Sequence, residues 1–352
     1  MTASGAPIEP VSRHGRAVLS HPRHDSPWIV VVAATLRHDP VDLPGNLGVL
    51  ARAVPMISAR LGRGMWRHGG VPVVHEVGHE EGDAIEAAIA RPFDLTDEAP
   101  LRVLVDPGHR RLVLAGHHAA FDGLALVQVL HALAGGPLPR PAPPDPPAPS
   151  AGLDGLVERF LRPADRVAPE PGGTSREICL SRPLQIRGPG VSARIAAAAT
   201  AALGAHNARQ GAPWNRVGIS IGMSGPDGVG NVASYRRIDA DPTSDIQRAV
   251  QRAIETKAEP IELRRSPRLA EIFRPALARF GDSFLVSNLG RLELGAVEAI
   301  EFYPVARGRS GVAFGAVGLT RGPSTLTLRT LRIDRGDAEQ ILDETLERIT
   351  SP

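Results

Sequence analysis

Residues 137–149, "PLPRPAPPDPPAP", hold eight prolines in thirteen positions, and this run constrains the fold more than any other stretch. Proline lacks a backbone N–H and fixes its φ, so the run fits neither a helix interior nor a central strand. At 352 residues the chain is also long for one compact core, since domains usually span roughly 100 to 200 residues. The prolines therefore mark a linker region over 137–175 between two lobes, 27–136 and 176–352, with 1–26 as an irregular N-terminal segment.

Both lobes read as mixed strand and helix. "PWIVVVAATL" (27–36) is a β-branched run bounded by Pro27 and Pro40, which predicts a strand. Leu47, Leu50, Ala51, Val54, Ile57 and Leu61 recur at three and four residues and predict a helix over 42–61 that Pro55 kinks or divides. A strand over 71–77, a short helix over 81–92 and a hairpin turning at "DPGHR" follow. The segment 123–136 has helical periodicity and stops at Gly135 and Gly136. Beyond the linker, strands are expected at 176–186, 216–224, 283–287, 299–306, 311–320 and 325–333. Helices are expected at 192–209, 243–256, 267–279 and 337–349, which gives an α/β class with a mixed sheet in each lobe.

Composition removes several functional classes. No apolar run approaches the ~20 residues a membrane helix needs, so no membrane partner is expected. The N-terminus lacks the apolar core of a secretory signal and Cys179 is the only cysteine, so the expectation is a cytoplasmic protein without disulfides. Formal charge is +2, aromatics make up 4%, and arginines are interspersed with acids. That pattern argues against a nucleic-acid partner.

Chemistry concentrates in "LVLAGHHAAFDGLALVQVLHAL" (112–133), where an apolar strand ends in His117 and His118, with Asp122 and Gly123 just beyond. A metal site is not expected, because consecutive strand residues point to opposite faces and no Cys or His-x-x-x-His set lies nearby. One reading is structural: core histidines, Asp122 capping the next helix and Gly123 serving the turn. The other is catalytic. A histidine with an unperturbed pKa of ~6.5 can act as a neutral general base near pH 7, and His118 is placed for that role. Asp122 would hold the loop through an arginine, while Gly123 would let backbone N–H groups approach a reacting oxygen.

"HHAAFDG" (117–123) resembles the His-His-x-x-x-Asp-Gly signature of the chloramphenicol-acetyltransferase-like superfamily. That superfamily includes nonribosomal peptide synthetase condensation domains and polyketide-associated acyltransferases. "RPFDLTDEAPLRVLV" (91–105) is similar to its Phe-Asp-Leu, acidic, Pro-Leu-Arg segment, and "GVGNVASYRRI" (228–238) to its Gly-Asn segment. "FLVSNLGRLEL" (284–294) is similar to the Ser-Asn-x-Gly strand of condensation-like members, and the four blocks occur in family order.

The resemblance implies two related lobes with an active-site tunnel between them, and a stand-alone acyltransferase of bacterial natural-product biosynthesis. The donor would be an acyl thioester of coenzyme A or of a carrier protein acting in trans, and the acceptor a small-molecule hydroxyl or amine. By motif position His118 is the general base, Asp122 the structural carboxylate and Gly123 part of the loop. His117, Ser287 and Asn288 fall where substrate positioning or oxyanion stabilisation is expected. No bound cofactor is implied, and a monomer suffices. Relatives often pair the motif aspartate with an arginine from the strand that here reads "GISIGMS" (218–224), so Arg37 is the substitute candidate. A non-catalytic docking or binding module for a carrier-bound intermediate, or a condensation-like fold doing another reaction, remains the alternative.

Overall fold

The computed structural model describes residues 6–20, 27–39, 42–77, 84–106, 108, 110–143, 154–169, 177–186, 188–223, 225, 227–255, 281–306 and 311–350. In chain order the first lobe contains β1 (Pro7–Pro10), α1 (Arg13–Leu19), β2 (Ile29–Leu36), α2 (Leu43–Ala53), β3 (Ala59–Gly62) and β4 (Met65–His68). It continues with β5 (Val74–Glu76), α3 (Ala84–Ile89), β6 (Leu101–Val105), β7 (Arg111–His117) and α4 (Gly123–Leu133). After α5 (Asp154–Leu161) come β8 (Ile178–Leu184), α6 (Val191–Arg209), β9 (Val217–Met223), β10 (Ser234–Ala240) and α7 (Ile246–Glu255). The remainder is β11 (Phe284–Leu292), β12 (Val297–Tyr303), β13 (Val312–Leu319), β14 (Ser324–Thr330) and α8 (Arg335–Thr350).

The apolar run of β2 is buried on both faces, as expected of a strand inside a sheet covered on both sides. It lies in a five-stranded mixed sheet ordered β12, β2, β7, β6, β5, with α4 packed on it. The second lobe is a six-stranded mixed sheet ordered β10, β9, β11, β13, β14, β8. Its core-facing residues, such as Ile219, Phe284 and Phe314, pack under the alanine-rich α6 and α8. The small side chains of α6 allow this close approach.

The lobes exchange structure. Strand β12 belongs by sequence to the second lobe but pairs antiparallel with β2, Phe302 opposite Val32, and packs its other face on β13 and β14. A Cβ at Gly315 of β13 would stand 2.1 Å from the Phe302 carbonyl oxygen, so only glycine lets the two sheets meet here. Arg329 of β14, fully buried, donates to Glu177 and to the carbonyl oxygens of Ile29 and Pro304. One guanidinium thus ties the second sheet to the first.

Several expectations need correction. Of the segment expected to be irregular, residues 6–20 carry β1 and α1, and β1 joins β4 and β3 in a three-stranded sheet. Helix α1 is short, but Ser12 caps it by accepting from the Gly15 N–H at 3.0 Å and Val18 is buried. The helix expected over 42–61 ends at Ala53, because Pro55 cannot continue it. A 3₁₀ turn, Pro55–Ser58, and β3 take its place. Within the expected linker, α5 forms, and residues 140–142 bond to Val229 in both directions (Val229 N–H to Arg140 O 2.8 Å, Ala142 N–H to Val229 O 3.1 Å). The helix expected at 267–279 lies outside the described residues.

Candidate active site

The site begins where β7 ends. Ile29 of β2 pairs with His117, and the His118 N–H donates to Trp28 O at 2.7 Å, so the two histidines straddle the sheet edge. Their side chains diverge, as alternation along a strand requires. His117 is buried, accepts from the Ala119 N–H at Nδ1 (3.1 Å), and meets the Phe93 ring edge-on. Phe93 lies beneath the guanidinium of Arg102, 3.9 Å from its centroid, and Arg102 bonds Glu98 at 3.1 Å. The 91–105 block is therefore a support under the motif. His117 belongs to that support and does not line the cavity, which corrects its expected substrate-positioning role.

His118 points the other way, half-buried, into a cavity of about 150 Å³ between the lobes. That is room for on the order of ten waters or a small organic group. Its Nδ1 lies 3.0 Å from the backbone oxygen of Phe121. A carbonyl oxygen only accepts, so the proton of the neutral ring belongs on Nδ1 and the lone pair on Nε2. The ring stacks on Trp28, centroids 6.2 Å apart and planes within 14°. Trp28 itself holds a left-handed φ of 52°, rare for a bulky residue.

Asp122 caps α4, Oδ1 accepting from the Ala125 N–H at 2.9 Å. Its Oδ2 accepts from the N–H groups of Val232 (3.1 Å) and Ala233 (3.0 Å), and Asn231 Nδ2 donates to the His118 carbonyl oxygen. The Gly-Asn block thus wraps the motif loop. Burial pushes the Asp122 carboxyl above the usual carboxylate value, only partly offset by these backbone bonds. Arg37 is not its partner: it follows Leu36 at the end of β2 remote from His118, where its N–H bonds Ala296. Backbone amides take the place of the expected guanidinium.

The opposite wall comes from the second sheet. Tyr235 of β10, Gly222 of β9 and Ser287 of β11 pair in one row across adjacent strands, and all three line the cavity. With no side chain between them, Gly222 leaves Ser287 open to the space; a Cβ there would stand 2.7 Å from its Oγ. Asn288 also lines the cavity, but its amide holds the strand end, accepting from the Gly290 N–H (2.9 Å) and donating to Ser192 Oγ (3.3 Å). Gly123 opens α4 against Phe302, whose ring would lie 2.6 Å from a Cβ at that position.

Sequence reasoning missed His14, Trp28 and Tyr235, which also line the cavity. Tyr235 sits inside the Gly-Asn block, 228–238; nothing local in the sequence marks His14. Among the described residues no group of three His, Cys, Asp or Glu could hold a metal, and no helix is long and apolar enough to cross a membrane.

No protein-family model matches the chain, and no curated protein sequence matches it. Solved structures do. The chain is similar to the first condensation domain of the calcium-dependent antibiotic synthetase, at 15% identity and TM-score 0.60, covering 98% of this chain and 97% of that one. It is similar to the starter condensation domain of rhizomide synthetase in complex with C8-CoA and Leu-SNAC, at 12% identity and TM-score 0.57, covering 96% and 93%. It is also similar to the epimerization domain from the third module of tyrocidine synthetase B, at 12% identity and TM-score 0.57, covering 99% and 97%. The fold is therefore the two-lobed, chloramphenicol-acetyltransferase-like fold of condensation domains.

Proposed function

We propose that this chain is an acyltransferase that moves an acyl group from a coenzyme A or carrier-protein thioester to a hydroxyl or amine acceptor. The observation that carries the reading is the hydrogen bond from His118 Nδ1 to Phe121 O, which assigns the Nε2 lone pair to a ring lining the interlobe cavity. The acceptor O–H or N–H gives its proton to Nε2 as its heteroatom bonds to the thioester carbonyl carbon. The C–S bond then breaks, and the thiolate takes the proton from the imidazolium. Charge on the tetrahedral oxygen is met by Ser287 Oγ–H and the Gly123 N–H at the start of α4. Asn288, already engaged with Ser192 and Gly290, positions the strand that carries Ser287.

The condensation-domain fold supports acyl or peptidyl transfer, and the starter condensation domain bound to C8-CoA makes a coenzyme A donor reasonable chemistry for it. The same fold also serves an epimerization domain and the X-domain in complex with OxyB from teicoplanin biosynthesis, so fold alone does not select the reaction. In this reading the enzyme works in the cytoplasm on a small-molecule acceptor, with any carrier protein supplied in trans. The test is intact-mass detection of transfer from acyl-coenzyme A and acyl-carrier thioesters to mixed alcohols and amines. Acceptor-dependent loss of thioester supports the reading; carrier binding without turnover supports a docking module instead.

A further inference from the structure

The hydrogen bond from His118 Nδ1 to Phe121 O leaves the imidazole one freedom. It fixes a direction within the ring plane, but the ring can still tilt about the Nδ1–O line and swing Nε2 across the cavity. A flat neighbour against one face removes that rotation. Trp28 is such a neighbour: its ring centroid lies 6.2 Å from that of His118, with the planes within 14°. Near-parallel rings at this spacing form an offset stack. Trp28 is only 8% exposed and lines the cavity, so the indole is itself held by its surroundings.

The backbone carries the indole there against its own preference. Trp28 has a φ of 52°, in the left-handed region that bulky residues rarely enter. Such a conformation persists only where surrounding contacts over-determine it. Here they do. Trp28 O accepts the His118 N–H at 2.7 Å, and the next residue, Ile29, pairs with His117. Ile29 O in turn accepts from the guanidinium of Arg329 in the second sheet. The Trp28 backbone is thus clamped between the histidine motif and the other lobe, while its side chain lies against the ring that the motif carries.

We propose that Trp28 is the positioning residue for His118: its indole pins the imidazole plane so that Nε2 stays aimed at the acceptor proton. The inference rests on the reading of His118 as the base in acyl transfer. Trp28 touches no reacting atom and acts through the histidine. The face of an indole also attracts a nearby cation. The imidazolium formed when the acceptor proton arrives is therefore held in the same place as the neutral ring, ready to return that proton to the leaving thiolate.

A protonated imidazole quenches the fluorescence of an indole stacked on it more strongly than a neutral one does, so the pair reports on itself without substrate. The chain has three tryptophans, and subtracting the emission of Trp28→Phe removes the background of Trp66 and Trp214. The difference should fall as pH drops from about 8 to about 5, and the fall should vanish when the same difference is taken on a His118→Gln background. No fall in the wild type, or a fall that survives His118→Gln, would overturn the proposal. In transfer assays Trp28→Leu, apolar but without a ring, should lower kcat by about 10- to 100-fold with KM near the wild-type value, and Trp28→Phe should recover most of the loss. Equal losses in both variants, or a change in KM alone, would overturn it too. If no thioester is turned over yet the fluorescence titrates with His118, the acyl-transfer reading fails and the pinned ring stands.

Discussion

His118 Nδ1 lies 3.0 Å from the backbone oxygen of Phe121, three residues along the chain, so the loop that follows the histidine fixes the state of its ring. The neutral imidazole should be the Nδ1–H tautomer. In ¹⁵N-histidine-labelled protein at pH 8, His118 should show a protonated Nδ1 and a pyridine-like Nε2. The reverse assignment would remove Nε2 as the base.

Ser287 tests the other half of the chemistry. Ser287→Ala keeps the row of Tyr235, Gly222 and residue 287 but removes the hydroxyl. If that hydroxyl meets charge developing on the carbonyl oxygen, kcat should fall by about 10²- to 10³-fold with little change in KM. A rise in KM at constant kcat would instead assign Ser287 to ground-state binding.

Asp122→Asn turns an amide N–H₂ toward backbone donors that now meet a carboxylate oxygen, and should cost about 1–3 kcal/mol of stability. The pH dependence has a definite sign. Because the folded-state pKa of Asp122 is raised, its contribution is fully present below the unfolded value of ~3.9 and is lost as pH rises through the folded value. Asparagine carries no such ionisation penalty. The stability gap between wild type and Asp122→Asn, measured by urea unfolding, should therefore be widest in acid and narrow as pH rises toward neutrality.

Arg329→Ala should destabilise the protein by roughly 3–5 kcal/mol, because it strands Glu177 beside the carbonyls of Ile29 and Pro304 between the two sheets. Urea midpoints for Arg329→Ala and for Arg329→Ala with Glu177→Gln distinguish loss of a pair from loss of packing. The double variant should recover part of the deficit.

Much of this was legible in the sequence, for identifiable reasons. β2, the β6–β7 hairpin, α4, α6 and five of the six strands of the second sheet carry long apolar or strongly periodic patterns and fall close to the expected positions, whereas β10, half-buried along its length, is not among the expected strands. His118, Asp122, Gly123, Ser287 and Asn288 do meet around one cavity. The misses share a cause, which is that tertiary contacts decide them. Strand β12 reads as a strand from its sequence, but nothing local says that it crosses to the first sheet. Helix α1 has seven residues, too few for a periodic signal, and is stabilised by its cap and by packing under Ala119. The resemblance points to a guanidinium partner such as Arg37, whereas Asp122 is satisfied by backbone N–H groups, which leave no residue-type signature.

The most direct test of the account is acyl transfer by His118→Ala beside wild type, followed by intact mass at matched donor and acceptor concentrations. The variant should fold, retain donor binding and transfer about 10²- to 10⁴-fold more slowly. Transfer at the wild-type rate by folded His118→Ala would contradict the assignment of His118 as the base.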